Sequence, residues 1–269
     1  MSDNSKGGRP AYDYVLLFKI AILQRYYNVS DDGIEYAILD RLSFMRFLGL
    51  GINDAVPDAK TIWLFKDKLA KGGVAQKLFD ALDRQLDKDG IIVHKGKLVD
   101  ASIVEVPKQR NTRQENEQIK NGEVPDDWNT HKRRQKDMDA QWVKKNGRNY
   151  FGYKNHIKAD SKTKLITGYK VTTANIHDSE VIAELIDKKE DGGQTLHADS
   201  AYRSECIEAM CKSRGIHSRI HEKGYRNNPL TTKQLKRNKR KSKIRARVEH
   251  IFGFMTNSMN QMFCGEEAN

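Results

Sequence analysis

Lys97-Leu98-Val99-Asp100-Ala101-Ser102-Ile103-Val104-Glu105-Val106-Pro107 is the stretch at which the chain changes its period. Leu98, Val99, Ile103, Val104 and Val106 suit a strand, and Pro107, with no N–H to give to a ladder, ends it. Upstream the spacing is helical. Leu16, Ile20, Leu23 and Tyr27 share one helix face, Ser30 or Asp31 is placed to cap a second helix carrying Ile34, Ala37 and Ile38, and 41–48 makes a third. After Gly49, Gly51 and Pro57, Asp58 is placed to cap a helix through Trp63, Leu64 and Leu69, and Leu78, Leu82 and Leu86 mark another that stops at Gly90. Residues 1–90 therefore predict a small all-α domain. Pattern alone leaves open whether it is a packing or dimerisation module or a helix-turn-helix that reads DNA.

Downstream, strands lead. Phe151, Tyr153, Asn155, Ile157 and Ala159 alternate with Gly152, Lys154, His156 and Lys158, and the polar turn Asp160-Ser161-Lys162-Thr163-Lys164 feeds a second strand at 166–173, which predicts a hairpin. Asp178 is placed to cap a helix through Val181, Ile182, Leu185 and Ile186. A strand at 195–198, a helix at 203–214 closed by Gly215, a strand at 216–220 and a helical stretch at 231–259 complete the chain. Three strands, helix, strand, helix, strand, helix is the order of the ribonuclease H-like fold, an α/β class with a mixed sheet and covering helices. Here it occupies 91–269 behind the all-α domain. Asp100 then falls on the first strand, Asp199 at the end of the fourth and Glu249 on the helix after the fifth, where strand ends bring distant carboxylates together. The polar stretch 108–149, with Trp128 and Trp142, is too long for a plain hairpin loop. It is expected either as a partly disordered insertion or as an arm that meets DNA through Lys132, Arg133, Arg134 and Lys136.

The net charge of +12 over 269 residues favours a polyanionic partner, because Lys and Arg neutralise phosphates and release counterions. A membrane surface is the other polyanion, but no apolar run is long enough to span a bilayer and Met1-Ser2-Asp3-Asn4-Ser5-Lys6 lacks the apolar core of a signal peptide, so a cytoplasmic protein is expected. Cys206, Cys211 and Cys264 are too few and odd in number for a disulfide framework; buried or half-buried free thiols are expected rather than a zinc knuckle with His197 or His217. No phosphate-binding Gly-rich loop and no dinucleotide fingerprint is present.

Taken singly, each carboxylate has a plain role: Asp100 or Asp199 starting a turn, Glu249 pairing with Arg245 one helical turn away. Taken together at strand ends they suit Mg²⁺, a hard cation that prefers oxygen ligands. Two such ions roughly 3.5–4 Å apart activate the attacking oxygen and stabilise the leaving oxygen of a phosphodiester. The basic tract supports this. Lys233, Lys236, Arg237, Lys239, Arg240, Lys241, Lys243, Arg245 and Arg247 run without an acidic residue into the Glu249 segment, as expected of a groove that tracks phosphates.

At this point the chain resembles a bacterial DDE transposase of the insertion-sequence-five family, within the larger insertion-sequence-four group. Leu39-Asp40-Arg41-Leu42-Ser43-Phe44, Phe47-Leu48-Gly49-Leu50 and Val56-Pro57-Asp58 are similar to the family's N-terminal domain. Val99-Asp100-Ala101-Ser102-Ile103-Val104-Glu105 resembles the first catalytic block, His197-Ala198-Asp199-Ser200-Ala201-Tyr202 the second, and 245–254 the third. Trp142-Val143-Lys144-Lys145 through Tyr150-Phe151-Gly152-Tyr153-Lys154, then Thr173-Ala174-Asn175-Ile176-His177-Asp178, resemble the family's strands and helix entry between the blocks.

The resemblance implies an endonuclease that nicks transposon ends, exposes 3′ hydroxyls and joins them to target DNA. Asp100, Asp199 and Glu249 would hold two Mg²⁺, with Mn²⁺ as the alternative. It also implies a homodimer on the terminal inverted repeats and a nucleoid-associated protein. DNA contacts are assigned to Lys239, Arg240, Lys241, Lys243, Arg245 and Arg247, with Lys132, Arg133 and Arg134 from the insertion. Arg245 and Glu249 fit the Arg-x-x-x-Glu signature, but Ser242 and Thr256 stand where the broader group often has Tyr and Lys, so Lys241, Lys243 or Arg247 is expected to substitute. Family members usually carry a further apolar helix after the glutamate helix, and the ending Gln261-Met262-Phe263-Cys264-Gly265-Glu266-Glu267-Ala268-Asn269 predicts a truncated C-terminus. Two other readings compete: a remnant that occupies transposon ends without cutting, and a host nuclease of the same fold.

Overall fold

The computed structural model describes residues 11–259, which divide in the main into two compact units, Met1–Lys88 and Asp89–Thr256. The described part of the first contains five helices: α1 (Tyr14–Tyr27), α2 (Asp31–Asp40), α3 (Leu42–Leu48), α4 (Ala59–Lys71) and α5 (Val74–Lys88). Ser30 takes the Gly33 N–H at 3.0 Å and Asp58 the Thr61 N–H at 2.7 Å, so these two side chains start α2 and α4. Ile20, Ile34, Ile38, Phe44, Met45 and Ile62 close the core. In α4 the inward residues are Ile62 and Phe65, whereas the expected Trp63 and Leu64 are exposed. Four consecutive apolar side chains at 62–65 carry no phase, and packing chose it. Leu78 and Leu82 of α5 are exposed as well.

The second unit is built on a six-stranded mixed sheet in the order β2-β3-β1-β5-β6, with β4 also pairing β3: β1 (Lys97–Glu105), β2 (Gln141–Lys145), β3 (Arg148–Asp160), β4 (Ile166–Thr173), β5 (Thr195–His197) and β6 (His217–Ser218). β1 runs antiparallel to β3 and parallel to β5. Gly152 sits at the β1–β3 edge with φ +147, and a Cβ there would lie 2.2 Å from the Val104 carbonyl oxygen, so only glycine fits. The stretch 108–149 is not a loose insertion. It holds α6 (Arg113–Lys120), α7 (Thr130–Arg134) and β2, a strand absent from the order read from periodicity.

Strand alternation sends residues to two faces. On one, Val99 and Leu196 pack with α8 (Asp178–Leu185), α10 (Glu205–Ser213) and the short α9 (Lys188–Asp191) lies alongside. His177, not Asp178, caps α8; Glu180 completes a capping box, and Asp178 is left to pair with Lys154 at 2.9 Å. Ser204 likewise starts α10, two residues after the point expected, because a 3-10 turn (Ser200–Tyr202) intervenes. On the other face, Leu98, Ile157 and Ala159 pack against Val248 of the long helix α11 (Thr232–Gly253). Cys211 is buried, while Cys206 is exposed rather than half-buried, and Cys264 lies outside the described residues, as does the C-terminal ending at 261–269. No helix among the described residues is long and apolar enough to cross a membrane.

Candidate active site

Asp100 lies on β1 and on the face covered by α11, two residues beyond Leu98. β5 pairs Leu196 with Lys97 and His197 with Leu98, and Asp199 lies as far past Asp100 as Leu196 does past Lys97. The two aspartates thus leave neighbouring parallel strands at the same level. Asp199 accepts the Ala201 N–H at 2.8 Å and starts the 3-10 turn. Asp100 accepts its neighbour Ala101 N–H at 2.9 Å. Burial pushes the Asp100 carboxyl up to about 6, with Asp199 adding to the rise and the Ala101 N–H, Arg245 and Lys145 opposing it.

α11 brings the rest. Its capping box, Thr231 with Gln234, starts a helix of 22 residues on which Arg245 and Glu249 stand one turn apart. Arg245 gives Nη1 to Asp100 at 3.1 Å and Nη2 to Glu249 at 2.8 Å, so a single guanidinium is the counter-charge of both carboxylates. Its Nε is buried with no partner among the described residues. Glu249 is 60% exposed. Among the described residues no three His, Cys, Asp or Glu side chains converge as a ready metal cage. The donor set nevertheless fits a hard divalent cation: oxygen ligands only, with one guanidinium shared between two carboxylates and the part-buried Asp100 carboxyl still pushed up.

Among the other residues expected to contact DNA, Lys239 and Lys243 are exposed on α11. Lys241 is committed internally, its Nζ giving hydrogen bonds to the Ile220 carbonyl at 2.6 Å and to Glu222 at 3.3 Å. Arg247 gives Nη1 to the Ser161 carbonyl at 2.6 Å. Ser242 meets His221 at 3.4 Å and Thr256 bonds back to the Phe252 carbonyl at 2.8 Å. Lys132 is not free to act as an arm: it shares Glu115, at 2.6 Å, with the buried Trp128 indole N–H. Lys132 first, then the Thr112 N–H and Trp128, hold that carboxyl down to about 2. Lys136 is held by Asn111 at 2.6 Å, Arg133 is exposed, and the side chain of Arg134 lies outside the described residues.

Sequence reasoning weighed His197 only as a zinc ligand and gave Tyr202 no role of its own. Tyr202 is 1% exposed with no partner for its hydroxyl among the described residues, and burial, then Asp178, Asp100 and Asp199, push its phenol far up. His197 is buried on the α11 side of β5, and burial, then Arg219, Arg247, His221 and Lys241, press its imidazole down to about 4. Neither is marked by its neighbours: Tyr202 stands between Ala201 and Arg203, and His197 between Leu196 and Ala198.

No solved structure matches the chain. Residues 1–68 match a family described as Transposase domain (DUF772), and residues 93–263 one described as Transposase DDE domain. With the second match covering more than half of its length, the chain belongs to the transposase DDE domain family.

Proposed function

We propose that this transposase binds the terminal inverted repeats of an insertion sequence of the insertion-sequence-five family, cuts the strands there and transfers the 3′ ends to target DNA. The catalytic unit, residues 91–269 in this reading, is ribonuclease H-like, and residues 1–90 serve DNA binding or dimerisation on the ends. The observation that carries the reading is the arrangement on the α11 face, where Asp100 and Asp199 share a level on parallel strands and Arg245 ties Asp100 to Glu249. Asp100, Asp199 and Glu249 would hold Mg²⁺, or Mn²⁺ in its place. Such ions, when bound, supply the Lewis-acid chemistry that activates the attacking oxygen and stabilises the leaving oxygen at a phosphodiester.

The residues themselves do the rest. The main-chain N–H groups of Ala101 and Ala201 fix one oxygen of each aspartate and leave the second oxygen for other partners. Arg245 compensates the carboxylates before the site is loaded, and it sits where a cationic side chain also meets phosphate. Lys239, Arg240 and Lys243 add positive charge along the same helix for the DNA backbone.

Incubation of the full chain with a duplex carrying the element's terminal repeat and Mg²⁺ tests the reading. The expected result is nicking at the repeat boundary followed by strand transfer, with both lost in Asp100→Ala, Asp199→Ala and Glu249→Ala while DNA binding persists. Full cleavage by Asp199→Ala contradicts it. Binding to the repeat without cleavage by the unaltered chain would make it an end-occupying remnant instead, and cutting with no preference for the repeat would favour a host nuclease.

A further inference from the structure

α11 has two flanks. Arg245 and Glu249 occupy the one that faces Asp100, and Val248 is buried against the sheet. On the other flank Arg237, Arg240, Lys241, Ile244 and Arg247 recur at three- and four-residue spacing. Arg245 and Arg247, two residues apart, point about 200° apart around the helix axis. The second flank is one wall of a cavity of about 600 Å³. Lys95, before β1, Lys162, in the β3–β4 turn, and Arg219, after β6, face it from the sheet, and His197 lies beneath.

Seven lysines and arginines line this cavity and no carboxylate does. Lys241 is paired with Glu222 at 3.3 Å and Arg247 is held by a carbonyl. Lys95, Lys162, Arg219, Arg237 and Arg240 make no ion pair among the described residues. Like charges gathered around a concavity repel one another until an anion enters, and a low-dielectric wall focuses their field on it. His197 is a second, independent sign. It is 7% exposed, yet its Nδ1 has no partner among the described residues, a buried polar atom left for a ligand or water to satisfy.

The chemistry of the lining defines the ligand. The volume is that of a pocket for a large ligand and exceeds what one free phosphate fills. No Phe, Tyr or Trp lines it and the His197 imidazole is buried, so no exposed platform is offered on which unpaired bases would stack. Guanidinium and ammonium groups without a stacking platform suit the backbone of a duplex.

We propose that this cavity is a second DNA site, holding consecutive backbone phosphates of duplex DNA on the side of α11 away from Asp100, without reading bases. The proposal rests on the transposase reading above for its ligand, and it adds Lys95, Lys162, Arg219, Arg237 and His197 to the DNA-contacting surface. One helix then separates the phosphate to be cut from the phosphates that anchor the duplex.

The test is the salt dependence of binding of the full chain to a fluorescent duplex, for the unaltered protein and for Lys162→Ala/Arg219→Ala/Arg237→Ala. The slope of log affinity against log salt should fall by about two to three units in the variant. Replacement of the same three by Arg, Lys and Lys should restore it. If the triple variant fails to fold by circular dichroism, Arg237→Gln, on exposed helix, carries the test alone, with a fall of about one unit expected. An unchanged slope overturns the second site and leaves the transposase reading standing. Absence of duplex binding by the unaltered chain overturns both. Titration with pyrophosphate separates the sources of phosphate. Tight pyrophosphate binding lost in the triple variant, with an unchanged duplex slope, would assign the cavity to a free anion and overturn the DNA site.

Discussion

Beneath α8 and α9, the lysines that β1 and β3 bury each meet a carboxylate: Lys154 meets Asp178 at 2.9 Å, and Lys158 and Lys97 meet Asp191 at 3.1 and 3.8 Å. On the opposite face of the same strands, Asp100 shares one arginine with an exposed glutamate, and five cations around the neighbouring cavity have no ion pair among the described residues. The first face is closed electrostatically and the second is left open. Charges committed to one another are structural and are costly to disturb one at a time. Charges left under-compensated are available to a ligand, and functional sites are where such perturbed groups collect. By charge balance, the α11 face is the one left able to receive a ligand.

The largest effect should come from breaking the closed face. Asp191 is 1% exposed, receives Lys158 and Lys97, and takes the Asp187 N–H at 2.8 Å. Asp191→Ala takes from the buried Lys97 and Lys158 the carboxylate they share, leaving Lys158 the largely exposed Glu190 at 3.2 Å, and should lower the free energy of unfolding in urea by about 3–5 kcal/mol. A loss below about 1 kcal/mol would show that water reaches these lysines and that the face is not closed.

A smaller, pH-dependent effect should come from His156. It is fully buried between the two lysines, and its Nε2 meets the Thr172 hydroxyl at 2.9 Å. Burial chiefly, and Lys154, lower its pKa below the ordinary 6.5, with Asp178 opposing them. The unfolded chain therefore takes up a proton near pH 6.5 that the folded chain resists, so stability is lost as pH falls below that value. Denaturation of the unaltered protein and of His156→Gln at pH 7.5 and pH 5 should show the unaltered protein losing ground at the lower pH. A constant difference between the two would remove His156 from the account.

The smallest effect belongs to the open face. Glu249 is 60% exposed and pairs with Arg245 across one helical turn. Glu249→Gln should change stability by less than about 1 kcal/mol while removing cleavage. A large loss of stability would make the Arg245–Glu249 pair a structural element like those beneath α8.

Much of this arrangement is legible before folding. The strand carrying Asp100, the hairpin after it and the capping of α2 and α4 follow from local chemistry, and the placement of Asp199 and Glu249 follows from element order. The miscast parts depended on distant partners. β2 is five residues in a polar stretch, and only its pairing with β3 makes it a strand. His177 caps α8 in place of Asp178 because Lys154, from the middle of β3, claims the aspartate. Lys132 belongs to Glu115 and Trp128 rather than to a loose arm. The basic cavity was half legible: Arg237, Arg240, Lys241 and Arg247 belong to an evident charge run, but Lys95, Lys162 and Arg219 come from three separate turns that only the sheet brings together.

The carboxylates on the α11 face, three with one shared arginine between two of them, are proposed to take a divalent cation. The most direct measurement is thermal unfolding of the metal-free chain, of Asp100→Asn and of Asp199→Asn, each titrated with Mg²⁺ and with Mn²⁺. Ligands that bind only the folded state raise the melting temperature as their concentration passes the dissociation constant. The unaltered chain should show a saturable rise with either ion, and both variants should lose most of it. An equal rise in all three proteins, or none in the unaltered chain, would contradict the assignment of Asp100 and Asp199 as the metal-holding pair.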